Sequence, residues 1–314
     1  MERNIKMKFS MDSFKGAWSA MSTPLTLDGK VDRDALAKLV EHQIKLGIKG
    51  LFLAGTAGEG PFLPDAERMR LAELTVRYVD GRIPVAMQIT DNSAERMIEN
   101  LQRYQDIIDI AVIAPPFFQL NAAKGDFIYD LYTQVIEASQ IPVGIYNRGK
   151  FSSVYVDPEV LGRLLDNPKV ILCKDSASMT EFTQAIMAAK QRRNGELAVL
   201  CGDEFDCVTY LKAGYDGVLF GGGCFNGAYA AEMCRLAAEG KFDETQAIQS
   251  HLAEVMFKIF GGKSIECWMA GQKEIMVRLG VFNTAKTYLN YQLSEQCSKD
   301  IDEVIRAEKA WLLK

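Results

Sequence analysis

Eight times between residues 16 and 240 a short apolar run gives way to a longer amphipathic one, and few architectures accept that order. The apolar runs fall at 16–21, 51–54, 84–89, 110–113, 142–146, 170–174, 197–200 and 217–220. Runs this short and this apolar read as strands buried on both faces. The segments between them read as helices. Asp32 is placed as an N-cap, and Leu36, Leu39, Val40 and Ile44 then share one side. Pro64 opens a second helix whose first turn holds Asp65 and Glu67, the sign that suits the helix dipole. Ser93 caps a third, which runs to about Tyr104. Others are expected at 126–139, from Pro158, at 180–192, at 205–212 and from Gly227. Strand-then-helix repeated in this way is the pattern of a parallel (β/α)8 TIM barrel in the α/β class. After about residue 240 the strand signal stops, and helices are expected at 243–260, 264–279 and 295–312. The expected organisation is a frayed N-terminal extension at 1–12, a barrel catalytic domain at 13–240 and a helical appendage at 241–314.

Composition removes several classes of function. The net charge is −5, with no basic run, which argues against nucleic acid and against an anionic membrane surface. No apolar run reaches membrane-spanning length, and residues 1–14 do not read as a signal peptide. The seven cysteines are odd in number and none has C-x-x-C spacing, so a reducing cytoplasm is the expected compartment. Only two histidines are present, His42 and His251, both in helical patterns. A poly-histidine metal site is therefore not expected, and neither is a serine–histidine–aspartate triad. Chemistry has to come from lysine, tyrosine, carboxylates and backbone amides.

In a barrel the residues just after the strands gather at one rim, where active sites form. The sixth run, Val170-Ile171-Leu172-Cys173, leads straight into Lys174, Asp175 and Ser176. A lysine at the end of a buried strand sits at the edge of a low-dielectric core. Desolvation there disfavours its charged form, which suits an amine that attacks carbonyls. The same stretch also fits a strand-end lysine paired with Asp175 in solvent. The fifth run ends in Tyr146-Asn147, on the neighbouring strand at the same rim. Adjacent strands lie about 4.8 Å apart, so the phenol and the amine can meet, and a tyrosine there can relay a proton. The second run is followed by Gly55-Thr56-Ala57-Gly58-Glu59-Gly60, whose backbone amides and Thr56 hydroxyl can cradle a carboxylate. A tight turn without a ligand is the other account. The seventh run ends near Gly202-Asp203-Glu204 and the eighth at Gly221-Gly222-Gly223. Three glycines leave room for a substrate to approach the backbone. Glu204 suits either sugar hydroxyls or the N-terminus of a helix.

These four motifs, in order and each at a strand end, resemble the dihydrodipicolinate synthase / N-acetylneuraminate lyase superfamily of pyruvate-dependent class I aldolases. The anchors are the Gly55–Gly60 turn, Tyr146-Asn147, Lys174-Asp175, and Gly202 with Glu204 ahead of Ala213-Gly214-Tyr215-Asp216-Gly217. The resemblance implies that Lys174 forms a Schiff base with a 2-oxo acid and that Tyr146 assists proton transfer. It implies that Thr56 and the Ala57 amide hold the carboxylate. It also implies that no metal or cofactor is needed. Lys174, Tyr146 and Thr56 are then the candidate catalytic residues. Gly55, Ala57, Ser176, Gly202, Glu204 and Gly222 are the candidate substrate-binding positions. The partner is a small-molecule 2-oxo acid, and the resemblance implies a homo-oligomer, tetramer or dimer.

Departures from the family bear on the substrate. A second threonine of the family's synthases is Ala57 here. A relay tyrosine after the fourth strand is replaced by Pro116-Phe117-Phe118. The family's Tyr-Asn-x-Pro-x-Arg reads Tyr146-Asn147-Arg148-Gly149-Lys150-Phe151, so the arginine is missing at its spacing and Arg148 or Lys150 would have to substitute. The leading expectation is retro-aldol cleavage of a 2-keto-3-deoxy sugar acid, or a related 2-oxo acid, to pyruvate and an aldehyde. Dehydration of a keto-deoxy sugar acid through the same imine, dihydrodipicolinate synthesis and non-catalytic 2-oxo acid sensing are the alternatives.

Overall fold

A computed structural model describes residues 5–118 and 125–314; the first four positions of the expected extension lie outside the described residues. Eight parallel strands close on themselves in chain order. They are β1 (Gly16–Ala20), β2 (Gly50–Leu53), β3 (Val85–Gln88), β4 (Ile110–Ile113), β5 (Val143–Asn147), β6 (Val170–Asp175), β7 (Ala198–Cys201) and β8 (Gly217–Phe220). The helices that alternate with them are α1 (Arg33–Lys45), α2 (Asp65–Val79), α3 (Ala94–Tyr104), α4 (Asp126–Ala138), α5 (Pro158–Leu165), α6 (Thr180–Arg192), α7 (Cys207–Lys212) and α8 (Gly223–Ala238). Four more follow: α9 (Phe242–Phe260), α10 (Trp268–Arg278), α11 (Glu295–Ala307) and α12 (Lys309–Leu312). The (β/α)8 barrel read from the alternation is the fold.

Local chemistry explains the helix starts. The Asp32 carboxylate accepts from the amides of Asp34 and Ala35, and the Ser93 hydroxyl from that of Arg96. Some boundaries move. Helix α8 starts at Gly223 rather than Gly227, because the three glycines turn directly into it. Helix α7 starts at Cys207 rather than at residue 205, because the Asp203 carboxylate holds the amides of Phe205 and Asp206 in a turn outside the helix. Residues 264–267 stay out of α10, and Glu308 interrupts the last helix. The described part of the N-terminal extension is not frayed: Met7, Phe9 and Met11 pack against the cluster that fills the barrel, and the Lys6 amide donates to the Gln140 carbonyl.

Register decides what fills the barrel. Trp18 pairs with Gly50, Phe52 with Ala86, Val112 with Gly144, and Leu172 with Ala198. Large side chains therefore face small ones across neighbouring strands, as a closed interior requires. Between β5 and β6 the register slips: Val143 pairs with Val170 but Gly144 pairs with Leu172. Ile171 is the extra residue, and it joins Leu172 in the interior cluster. The slip places Lys174 opposite Tyr146.

Helix α9 packs on α8, and α10 and α11 pack on α9. From α10, the Gln272 amide nitrogen donates to the Ser22 hydroxyl after β1 and to the Gly221 carbonyl after β8, at 2.8 Å for the latter. Lys273 pairs with Glu59 in the turn after β2 at 2.5 Å, with both side chains buried. Burial pushes the Lys273 ammonium down, and Glu59 opposes it. The closed interior leaves no slack at its floor. A Cβ on Gly50 would lie 2.3 Å from the Trp18 indole. Gly50→Ala should cost at least about 1–3 kcal/mol through overpacking, read as a lower urea midpoint with an unchanged slope.

Candidate active site

At the C-terminal rim of the strands, Lys174 and Tyr146 face one another as a direct cross-strand pair. Each is 6 % exposed. The Lys174 Nζ lies 4.3 Å from the centre of the Tyr146 ring and 5.3 Å from that of Phe52. The Phe52 and Tyr146 rings meet edge to face at 5.9 Å. A cation over two desolvated ring faces is held electrostatically without a carboxylate. Among the described residues no carboxylate is within ion-pair distance of this amine. Asp175 is the next residue of the strand and so points to the other face. There it accepts from Asn147 Nδ2 at 2.8 Å, from the Tyr215 hydroxyl at 2.8 Å and from the Ala177 amide at 3.1 Å. Burial raises the Asp175 carboxyl, and those three donors oppose the rise. The account that paired Lys174 with Asp175 in solvent is overturned by strand alternation.

Burial pushes the Tyr146 phenol up. The Lys174 and Arg148 cations, with hydrogen bonds to Thr56 and Ser176, outweigh it and leave the phenol below its ordinary value. The Arg148 guanidinium lies 6.0 Å from the Tyr146 ring centre. A phenol depressed in this way gives and takes a proton more readily near neutral pH.

Lys174, Tyr146, Thr56, Ala57, Ser176, Gly202 and Glu204 all line one cavity of about 340 Å³. Gly202 is required there: a Cβ would lie 1.9 Å from Ser176 Oγ and 3.0 Å from Lys174 Cε. In the turn after β2, Gly60 N bonds the Gly55 carbonyl and Glu59 N the Thr56 carbonyl. Among the described residues the Thr56 and Ala57 amides have no such partner, so they are available to an anion.

Two expected positions fall elsewhere. Gly55 does not line the cavity; the Phe52 ring occupies the space where its side chain would stand, 2.7 Å from a Cβ. Gly222 does not line it either. Its amide donates to both Glu204 oxygens at 3.0 Å, and Asn226 Nδ2 donates to Oε2 at 3.0 Å. The Glu204 carboxylate lies against Gly221 and Gly222 at the start of α8, 2.8 Å from where a Cβ on either would stand, and Gly221 lines the cavity. Burial raises the Glu204 carboxyl against these donors and the nearby Lys174. Glu204 thus sits at the N-terminus of α8 and also lines the cavity.

Other lining residues carried no signal in their own segments: Phe151, Phe205, Phe260, Ile265 and Trp268. The last three come from the end of α9, the following turn and the start of α10, which the Gln272 and Lys273 bonds draw over the mouth. Among the described residues, no three of His, Cys, Asp and Glu gather as metal ligands, and no helix is long and apolar enough to cross a membrane.

Residues 13–302 match the model of the dihydrodipicolinate synthetase family. A curated relative, the 4-hydroxy-tetrahydrodipicolinate synthase of Stenotrophomonas maltophilia, is 29% identical over 243 residues, 76% of this chain and 80% of its own. The dihydrodipicolinate synthase structure from Thermotoga maritima superposes with a TM-score of 0.85 at 21% identity, covering 96% of this chain and 100% of its own. The structure of YagE from Escherichia coli K12, a prophage protein of the dihydrodipicolinic acid synthase family in complex with pyruvate, gives a TM-score of 0.83 at 22% identity. It covers 94% of this chain and 99% of its own.

Arg148→Met removes one of the two cations that favour the Tyr146 phenolate. The phenol should then titrate at higher pH, read as an upward shift of the tyrosinate absorbance step that Tyr146→Phe abolishes. An unshifted step would remove Arg148 from the electrostatics of this phenol.

Proposed function

This chain belongs to the dihydrodipicolinate synthetase family, and from that premise we propose that it is a lysine-imine lyase acting on a 2-oxo acid with a hydroxyl on its fourth carbon. The 2-keto-3-deoxy sugar acids are one such class. The observation that carries the reading is Lys174, buried at the rim with no carboxylate partner among the described residues and set face to face with an acidified tyrosine.

Roles follow from position. The substrate carboxylate sits on the Thr56 hydroxyl and the Ala57 amide. The Lys174 amine adds to the ketone carbon, and Tyr146 protonates the departing hydroxyl, so water leaves and the imine forms. The fourth-carbon hydroxyl then gives its proton to the Tyr146 oxygen. The bond between the third and fourth carbons breaks, and its electron pair moves toward the imine nitrogen. An aldehyde departs and an enamine remains. The enamine takes a proton at its third carbon, and water releases pyruvate and the free amine. Ser176 supports the Tyr146 hydroxyl by hydrogen bonding. Gly202 keeps the path of the lysine chain clear.

The names of the curated relatives support a second reading, condensation of pyruvate with aspartate semialdehyde. Against it stand Phe117 and Phe118, which offer no hydroxyl after β4. Seven free thiols support a cytoplasmic setting. The exposed rings of Phe62 and Phe117 beside the mouth support a homo-oligomer.

Borohydride with pyruvate should leave one stable adduct, on the peptide that carries Lys174, and Lys174→Ala should leave none. An unmodified Lys174 removes the mechanism. Tyr146→Phe should lower kcat about 10²- to 10⁴-fold while the adduct still forms. Free pyruvate among the products marks cleavage; its absence marks dehydration.

A further inference from the structure

Strand β6 carries one residue more than its partner can match. From Val143 to Asn147, β5 takes four steps, while β6 takes five from Val170 to Asp175. The apolar pattern does not say where the surplus goes. Val170, Ile171, Leu172 and Cys173 are all apolar and all buried, so either face of the sheet accepts any of them. A hydrophobic pattern specifies register only where the two faces differ. Two registers are therefore open to the same residues. In the straight one, Tyr146 meets Cys173, Lys174 points at the helix layer and Asp175 points into the barrel. In the slipped one, which the structure adopts, Lys174 lies opposite Tyr146 and Asp175 opposite Asn147.

The start of the strand is pinned. Arg193, at the end of α6, is only 9% exposed. Its Nη1 donates to the carbonyls of Leu165, Asn167 and Val170 at 2.7, 2.6 and 2.9 Å. Its Nη2 donates to those of Pro168 and Glu196 at 3.3 and 3.2 Å. With the start fixed, the end must be held too, or the strand slides straight. The Lys174 amine lies over the rings of Phe52 and Tyr146, a weaker tie than hydrogen bonds to a buried carboxylate. Asp175 has three such bonds on the opposite face, from Asn147 Nδ2, the Tyr215 hydroxyl and the Ala177 amide. Asn147 and Tyr215 are themselves buried. The straight register would take the acceptor away from both and leave two buried donors unmade, which is costly.

We propose that Asp175, with Asn147 and Tyr215, is the latch that selects the slipped register, and so is a positioning residue for the Lys174 amine. It acts through the strand, from the face away from the cavity. The proposal rests on the Schiff-base reading above for what the amine does, but not for where the amine sits. Ile171 is extruded between the two fixed points, Arg193 at the start of β6 and Asp175 at its end.

The test reads two signals in the full chain: the tyrosinate absorbance step that Tyr146→Phe abolishes, and the rate at which borohydride with pyruvate labels Lys174. In Asp175→Ala the strand slides and the amine leaves the phenol. The step should move to higher pH, and labelling should slow by about 100-fold or more, the scale of loss for a misplaced reacting group. Removal of a negative charge alone would move the step the other way. Deletion of Ile171 removes the surplus, so that straight counting sets Lys174 opposite Tyr146. Added to Asp175→Ala, it should restore both signals, which a merely structural role for Asp175 does not predict. Signals that Asp175→Ala leaves unchanged, or that the deletion does not restore, overturn the proposal. Should Asp175→Ala fail to fold, Asn147→Ala, which leaves the carboxylate its other two donors, is read in the same way with and without the deletion. If pyruvate does not label the unaltered chain, the Schiff-base reading falls, and the tyrosinate step alone decides the latch.

Discussion

The alignment of Tyr146 with Lys174 hangs on one irregularity of the sheet. Counted straight from Val143 opposite Val170, Tyr146 would meet Cys173, and the lysine would point away from the barrel axis. The extra residue at Ile171 shifts the parity of the rest of β6, because side chains alternate with a period of two. Lys174 thereby enters the barrel and Asp175 leaves it, to be held by Asn147, Tyr215 and the Ala177 amide. The amine is separated from the adjacent carboxylate by the strand itself. What surrounds it instead is the ring faces of Phe52 and Tyr146, and the phenol in turn feels two cations.

The mouth is shaped by a helix remote in sequence. Helix α10 reaches the loops after β1, β2 and β8 through Gln272 and Lys273. The Glu59–Lys273 pair is fully buried, and both ends have second partners: the Tyr288 amide donates to Glu59 at 2.6 Å, and Lys273 donates to the Lys286 carbonyl at 2.7 Å. A buried pair adds little net stability, yet removing one member costs about 3–5 kcal/mol by stranding the other charge. Its effect here is positional. It fixes the turn that presents the Thr56 and Ala57 amides, and it fixes the helix that begins with Trp268.

The polar side chains at the rim divide into those that face the cavity with hydrogen-bonding capacity in hand and those spent on the frame. Thr56, Tyr146, Lys174 and Ser176 belong to the first group. Asp203 and Glu204 belong to the second, one closing the turn before α7 and the other capping α8. A carboxylate in a cavity wall is easily taken for a ligand. Here these two accept from backbone amides, the Ser178 hydroxyl and an asparagine of the same scaffold.

The order of apolar runs was enough to determine a parallel α/β sheet buried on both faces, and eight units pointed to the closed form that the strand order shows. The strand ends were legible for the same reason, and with them Lys174, Tyr146, Thr56 and Gly202. The helix caps at Asp32 and Ser93 were legible too, because capping is local. Tertiary structure alone decided the rest. A one-residue slip between β5 and β6 leaves no mark in composition or periodicity, so the meeting of amine and phenol at the rim was legible but the register that sets them opposite was not. Gly222 was read as room for a substrate, and the structure sets the Glu204 carboxylate against it, because a glycine records that something approaches without saying what. The aromatic wall comes from segments far apart in the chain, and a cavity made of distant residues exists only once the chain has closed around it.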